Sequence, residues 1–139
     1  MRRGLLRDSY RIMDANFNRS KEGLRVCEEI ARFHLRDKGL TKRLYGLRHR
    51  LTTLLLTSDL DLKLLWKERD AQGDPGKTLH PAAGAKSFRA IFMANAQRVK
   101  EALRVLEEFL KLFDSPASRR LQKLRFDFYV LEKQAVEKF

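Results

Sequence analysis

Cysteine occurs once in this chain of 139 residues, and histidine and proline three times each. A lone thiol, Cys27, cannot close an internal disulfide, and so little cysteine fits a reducing compartment. One cysteine with His34, His49 and His80 scattered along the chain argues against a zinc site. No apolar run approaches a membrane span, and the opening Met1-Arg2-Arg3-Gly4-Leu5-Leu6 has no signal h-region, so a soluble, cytoplasmic protein is expected. Also missing are the phosphate loop ending in Gly-Lys-Ser/Thr, the Gly-x-Gly-x-x-Gly turn and the His-Glu-x-x-His pair. Acidic residues are in deficit, 18 against 30 Lys and Arg, for a net charge of +12. That balance points to nucleic acid, nucleotides or phosphorylated metabolites, or to the solvated surface of a heat-adapted protein.

What the chain does have is a repeat. Residues Ala15 to Glu29 return 79 positions later as Ala94 to Glu108, with ten of fifteen positions identical. Asn, Arg, Lys and Glu are kept as faithfully as the apolar residues, which packing alone does not require. Both copies read as amphipathic helices. Val26, Cys27, Ile30, Ala31 and Phe33 form one stripe, with Lys21, Arg25, Glu28 and Arg32 opposite. In the second copy Val105, Leu106, Phe109, Leu110 and Leu112 stand against Lys100, Arg104, Glu107 and Lys111. Asn16 and Arg19, like Asn95 and Arg98, project from the apolar side. Burying such groups without partners is costly, so they should bind something: a ligand, or Glu22 and Glu101 as bundle-fixing ion pairs. Cys27 is matched by Leu106, which makes it a small core residue.

Helices are expected over about 9–36, 41–57, 60–66, 87–113 and 116–138, with Asp8 or Ser9 capping the first and Ser87 the fourth. Gly39 should end the first helix, Thr41 start the second, and Ser58 or Asp59 start the short piece. Arg43-Leu44-x-x-Leu47-Arg48 resembles Arg120-Leu121-x-x-Leu124-Arg125, which extends the repeat to a helical hairpin. The expectation is one all-α domain over 1–139: an antiparallel four-helix bundle of two pseudo-symmetric hairpins, about 8–57 and 87–138. Between them lies a loop of about 67–86 with two prolines and three glycines, long enough to suggest a lid, a binding loop or a bare connector.

The chemistry is carried by a constellation. Arg19, Arg48, Arg69, Arg98 and Arg125 fall near the repeated faces or the loop, Glu22 and Glu101 flank the helix arginines, and Asp70 and Asp74 sit in the loop. Guanidiniums with helix N-terminal amides suit phosphate. A loop carboxylate pair suits Mg²⁺ shared with substrate phosphates. Phosphoryl transfer by positioning and charge neutralisation is the reaction class these residues describe.

Several of these motifs resemble a known family. They are Asp14-Ala15-Asn16-Phe17-Asn18-Arg19-x-x-Glu22-Gly23-Leu24-Arg25, Leu47-Arg48-His49, Arg69-Asp70 with Asp74-x-Gly76, Asn95-x-x-Arg98-x-x-Glu101-Ala102-Leu103-Arg104, and Leu124-Arg125 with Tyr129-x-Leu131-Glu132. The chain is similar over nearly its whole length to the monofunctional hydroxymethylpyrimidine-phosphate kinases, a helical domain often fused ahead of thiamine-phosphate synthase. That synthase is a (β/α)₈ barrel of about 200 residues or more, and no strand–helix alternation is present here.

The resemblance implies ATP-dependent phosphorylation of 4-amino-2-methyl-5-phosphomethylpyrimidine to its diphosphate. On the matching positions, Arg19, Arg98, Arg48 and Arg125 would hold phosphates, with Glu22 and Glu101 beside them. Asn16 and Asn95 would meet the aminopyrimidine edge. Asp70 and Asp74 would hold Mg²⁺, and Arg69 would neutralise the transferring group. The family commonly has Thr and Val where Ala71 and Pro75 stand, which removes a hydroxyl from the loop. Partnership with thiamine-phosphate synthase and self-association both stay open. So do two other readings: a non-catalytic helical domain docking on a thiamine-pathway enzyme, and a nucleic-acid-binding module. Basic residues interleaved with Glu22, Glu28 and Glu29 argue against the last.

Overall fold

The computed structural model describes residues 1–79, 84 and 86–139, and among them five helices and no strand. The long helices are α1 (Arg3–Phe33), α2 (Lys38–Thr57), α4 (Phe88–Leu110) and α5 (Ser115–Val136), and α3 (Leu62–Lys67) is short. α1 packs on α2 and α4, α5 packs on α4 and α2, and α3 rests on α1. Each long helix therefore has two long neighbours around one core.

The core follows from spacing. In α1 the buried Met13, Phe17, Ser20, Leu24, Cys27 and Ala31 step by four and three, the period that keeps one stripe inward. In α4 the buried Phe92, Ala96, Val99, Leu103, Leu106 and Leu110 take the same six positions 79 residues on. Bulk alternates between the copies: Phe17 against Ala96, Ser20 against Val99, Cys27 against Leu106. α2 contributes Leu40, Leu44, Leu47, Leu51 and Leu54, and α5 Ala117, Leu121, Leu124, Phe128 and Leu131. Cys27 is fully buried, and burial pushes its thiol up to about 12, so it stays protonated in the core.

Not all stripe residues lie where the period alone places them. Phe33 and Leu112 are exposed, while Glu28 and Glu107, expected on the solvated faces, are buried. Both carboxylates are drawn inward by arginines on the next helix. Helix ends shift as well. α1 starts at Arg3 because nothing in Gly4–Asp8 breaks it, so Asp8 and Ser9 lie inside the helix and no side chain caps it. Arg36, at φ 52°, turns the chain after α1, and Asp37 caps α2 by accepting from the Leu40 N–H, which places Gly39 and Thr41 inside α2. Asp61, not Ser58 or Asp59, caps α3. Ser87 caps α4 as expected, at 3.0 Å from the Ala90 nitrogen. Asp114 caps α5 just before Ser115 and Pro116, and α4 stops at Leu110.

α1 and α4 come into close contact at Gly23. A Cβ there would lie 2.7 Å from Val99 Cγ2 and 3.1 Å from the Asn95 carbonyl oxygen. Val99 is stiff in a helix and a backbone carbonyl cannot move aside, so Gly23→Val should cost about 2 kcal/mol or more by overpacking. Urea denaturation measures this; an unchanged midpoint would show that the seam yields.

Asp114 accepts from Ala117 N–H at 2.9 Å and from Asp59 N–H at 3.0 Å, joining the start of α5 to the chain after α2. The Ala117 bond holds its carboxyl below the usual range, against burial and with help from Asp59. A carboxyl lowered on folding stabilises above its unfolded value, and that contribution is lost as pH falls through the folded one. The stability gap between wild type and Asp114→Asn should therefore be full at neutral pH and shrink below about pH 4. A gap constant from pH 7 to the acid limit would contradict this.

Candidate functional site

A groove of about 730 Å³ runs between the first half of α1 and the segment after α3. Asp8, Arg11, Ile12, Asp14, Ala15, Asn16, Asn18, Arg19 and Glu22 line it from α1, and Arg69, Asp70, Ala71 and Asp74 from the segment. Six expected site residues meet there: Asn16, Arg19, Glu22, Arg69, Asp70 and Asp74. The structure does not bring Asn95, Arg98, Glu101, Arg48 or Arg125 to it. His80 lies outside the described residues, and His34 and His49 are exposed against Phe88 and Tyr45.

Asn16 is buried, and its amide donates to the Ile12 carbonyl at 2.8 Å. Asn95 makes the same bond to Ile91 at 2.9 Å. The amide nitrogen of each is thus engaged on its own helix. Arg19 and Arg98 are exposed, contrary to the reading of their helical phase. Three residues beyond Asn16, the side chain is turned about 60° round the helix, enough to clear the seam. Neither has an ion-pair partner among the described residues, so the Arg19–Glu22 and Arg19–Glu101 pairs are not formed. Glu101 instead accepts from Gln97 at 2.9 Å.

Arg48 and Arg125 are committed elsewhere. Arg48 Nη2 lies 3.3 Å from the buried Glu28, and Arg125 Nε 2.9 Å from the buried Glu107. Arg25 and Arg104 brace the same two carboxylates from one helical turn away. Arg125 is itself buried, yet the bonds to Glu107 and to the Tyr129 hydroxyl keep it firmly protonated. These pairs tie α2 to α1 and α5 to α4.

The segment is held differently. Arg69 reaches the buried Asp14 with two parallel bonds of 2.7 Å, Nε to Oδ2 and Nη2 to Oδ1. This bidentate pairing raises the guanidinium above its ordinary range. Asp70 Oδ1 accepts from Gly73 N–H and Asp74 Oδ1 from Gly76 N–H, each at 2.8 Å, which folds the segment on itself. A Cβ at position 73 would meet the Asp70 carboxylate, which would have to swing aside and give up its bond to the residue-73 N–H. Among the described residues no group of three or more His, Cys, Asp or Glu is gathered to hold a metal.

Sequence reasoning gave no site role to Asp14 or Arg11, and read Asp8 only as a helix cap. A signal for Asp14 was there: it follows Met13 on the inward side of the helix and opens the first of the repeated motifs. The groove carries three arginines against five carboxylates, a net acidic site on a strongly basic chain. Such a site suits a phosphate that arrives with a divalent cation rather than a bare anion.

With this geometry in hand, comparison with known proteins places the chain. It matches the ThiD2 family over residues 11–134, and it belongs to that family. It is 39% identical over 125 residues to a thiamine-phosphate synthase of Nostoc punctiforme, covering 88% of this chain and 34% of that protein. It is 41% identical over 124 residues to one from Synechocystis, with the same coverage. A thiamine-phosphate synthase of Rhodopirellula baltica is 37% identical over 125 residues, 88% of this chain and 33% of its own length. The chain thus spans about a third of the curated relatives it matches. No solved structure matches it significantly. No helix among the described residues is long and apolar enough to cross a membrane.

Breaking a buried ion pair from one side costs about 3–5 kcal/mol, because a charge is left unpaired. Glu107→Gln should approach that loss. Glu28→Gln should cost less, since the Arg48 side chain is 20% exposed where that of Arg125 is 9% exposed. Urea denaturation of the two variants decides it; equal losses would contradict the ranking.

Proposed function

We propose that this protein acts in thiamine biosynthesis as a kinase, transferring the γ-phosphoryl of ATP to 4-amino-2-methyl-5-phosphomethylpyrimidine. A non-bridging oxygen of the substrate monophosphate bonds to the γ-phosphorus as the bond to ADP breaks, giving the diphosphate and ADP. The observation that carries the reading is the gathering of Asn16, Arg19, Glu22, Arg69, Asp70 and Asp74 around one groove. Family membership and relatives named thiamine-phosphate synthase support the pathway. A cytoplasmic location goes with it.

In this reading Arg19 takes the phosphates and Arg69 neutralises the group in flight, both by charge-assisted hydrogen bonds. Asn16 lies beside them for the aminopyrimidine edge, with Glu22 on the same wall of the groove. Asp70 and Asp74 each use one carboxylate oxygen on a main-chain amide; the other oxygen of Asp74, and that of Asp70 beside Arg11, would fit Mg²⁺ completed by phosphate and water. Mg²⁺ there would neutralise β- and γ-phosphate charge. Asn95, Arg98 and Glu101, on α4 outside the groove, are secondary candidates, and Arg48 and Arg125 are better suited to holding helices together. The packing order of the helices supports an antiparallel four-helix bundle of two related hairpins, so α4 presents a second copy of the α1 face. The long relatives support a partnership with thiamine-phosphate synthase, and self-association is compatible with the uncovered α4 face.

A coupled ADP-release assay with Mg·ATP tests this, comparing the phosphomethylpyrimidine with its unphosphorylated alcohol. Turnover of the phosphate alone is expected. Arg19→Ala should then lower kcat/KM by about tenfold or more, and Arg98→Ala by less than about threefold. No turnover in folded protein that also fails to bind ATP would overturn the kinase in favour of a docking domain.

A further inference from the structure

We propose that Asp14 is a positioning residue: it clasps Arg69 and thereby holds the segment over the groove and sets the angle of its guanidinium. The effect on turnover rests on the phosphoryl-transfer reading; the clasp itself does not.

Little else holds the segment. Its other bonds stay within it, as from Gly73 to Asp70, Gly76 to Asp74 and Lys77 to the Gln72 carbonyl, or run back to the end of α3, from the Arg69 N–H to the Trp66 carbonyl. Among the described residues its ties to α1 are the Arg69–Asp14 pair and the looser Arg11–Asp70 contact at 4.0 Å. Asp14 is anchored where Arg69 is not, with a side chain 10% exposed against 48%. A carboxylate fixed on a long helix and shielded from water is a firm anchor for an otherwise solvated arginine. The pairing also consumes a particular side of the fork. Nε and Nη2 face Asp14, whereas Nη1 has no partner among the described residues and remains for a ligand. An arginine lacking this anchor would lose both its place and its direction, and Asp70 and Asp74 would follow it.

The test is a double-mutant cycle of Asp14→Asn, Arg69→Gln and both together. Circular dichroism checks folding, and trypsin cleavage after Lys77 is timed by mass spectrometry. Each single variant should be cut about tenfold faster than wild type, and the double variant no faster than the singles, because one interaction is removed once. Unchanged cleavage, or effects that multiply, would overturn the clasp. Should Asp14→Asn fail to fold, Arg69→Gln, altered from the solvent side, decides the cleavage arm alone. At saturating Mg·ATP, Asp14→Asn should also lower kcat about tenfold while KM for ATP changes less than threefold, with partial recovery in Asp14→Glu. Faster cleavage with unchanged kcat would overturn the positioning role and leave a mere tether. A wild-type protein without turnover would sink the kinase reading, and the cleavage cycle would still decide the clasp.

Discussion

The close approach of α1 and α4 at Gly23 is the constraint on which the rest of the molecule depends. Without a side chain at that position, Val99 and the Asn95 carbonyl come within ordinary contact of the α1 backbone. The approach lets Gly23 receive Val99 across the seam. It also explains why polar residues recur in both copies. At the seam Asn16 and Asn95 must be small enough to fit and able to engage the amide nitrogen, and each does so on the carbonyl four residues back. Arg19 and Arg98, one step further round, are pushed clear into solvent.

Charge is distributed in two ways. Glu28 with Arg48 and Glu107 with Arg125 lie inside, joining each helix pair by a carboxylate that desolvation would penalise if it were alone. Such pairs fix which helix faces which rather than adding much net stability. Arg69 and Asp14 form a third, bidentate pair with one partner in solvent, and its position over the groove gives it a different part. The helix-joining pairs sit within regular structure. The third joins regular structure to a segment of turns, which is where a ligand can alter the geometry.

Much of the fold was legible from the chain. Residues 13, 17, 20, 24, 27 and 31 and their counterparts 79 positions on announce two matched inward stripes, and Ser87 reads as a cap because its hydroxyl needs only the next turn. Asp37 and Asp114 were harder to read, since their capping depends on how short turns deliver the chain, one of them through left-handed Arg36. Glu28 looked solvated because it falls in line with Lys21, Arg25 and Arg32 on the charged side of the helix. Only the approach of α2, with Arg48, makes it an inside residue. The site was half legible for the same reason. Arg19 and Asn16 lie on one helix and could be grouped by spacing, and the motif resemblance joined Asp70 and Asp74 to them. Asp14 needed the fold, because its partner is 55 positions away.

The account stands on the claim that nucleotide and pyrimidine meet between α1 and the segment after α3. Amide NMR of the labelled protein, titrated with Mg²⁺ and a non-hydrolysable ATP analogue and then with the phosphomethylpyrimidine, tests it most directly. Saturable shifts concentrated at residues 14–22 and 69–74 are predicted. Shifts concentrated on Asn95–Glu101 of α4 or around Arg48 and Arg125, or none that saturate, would contradict it.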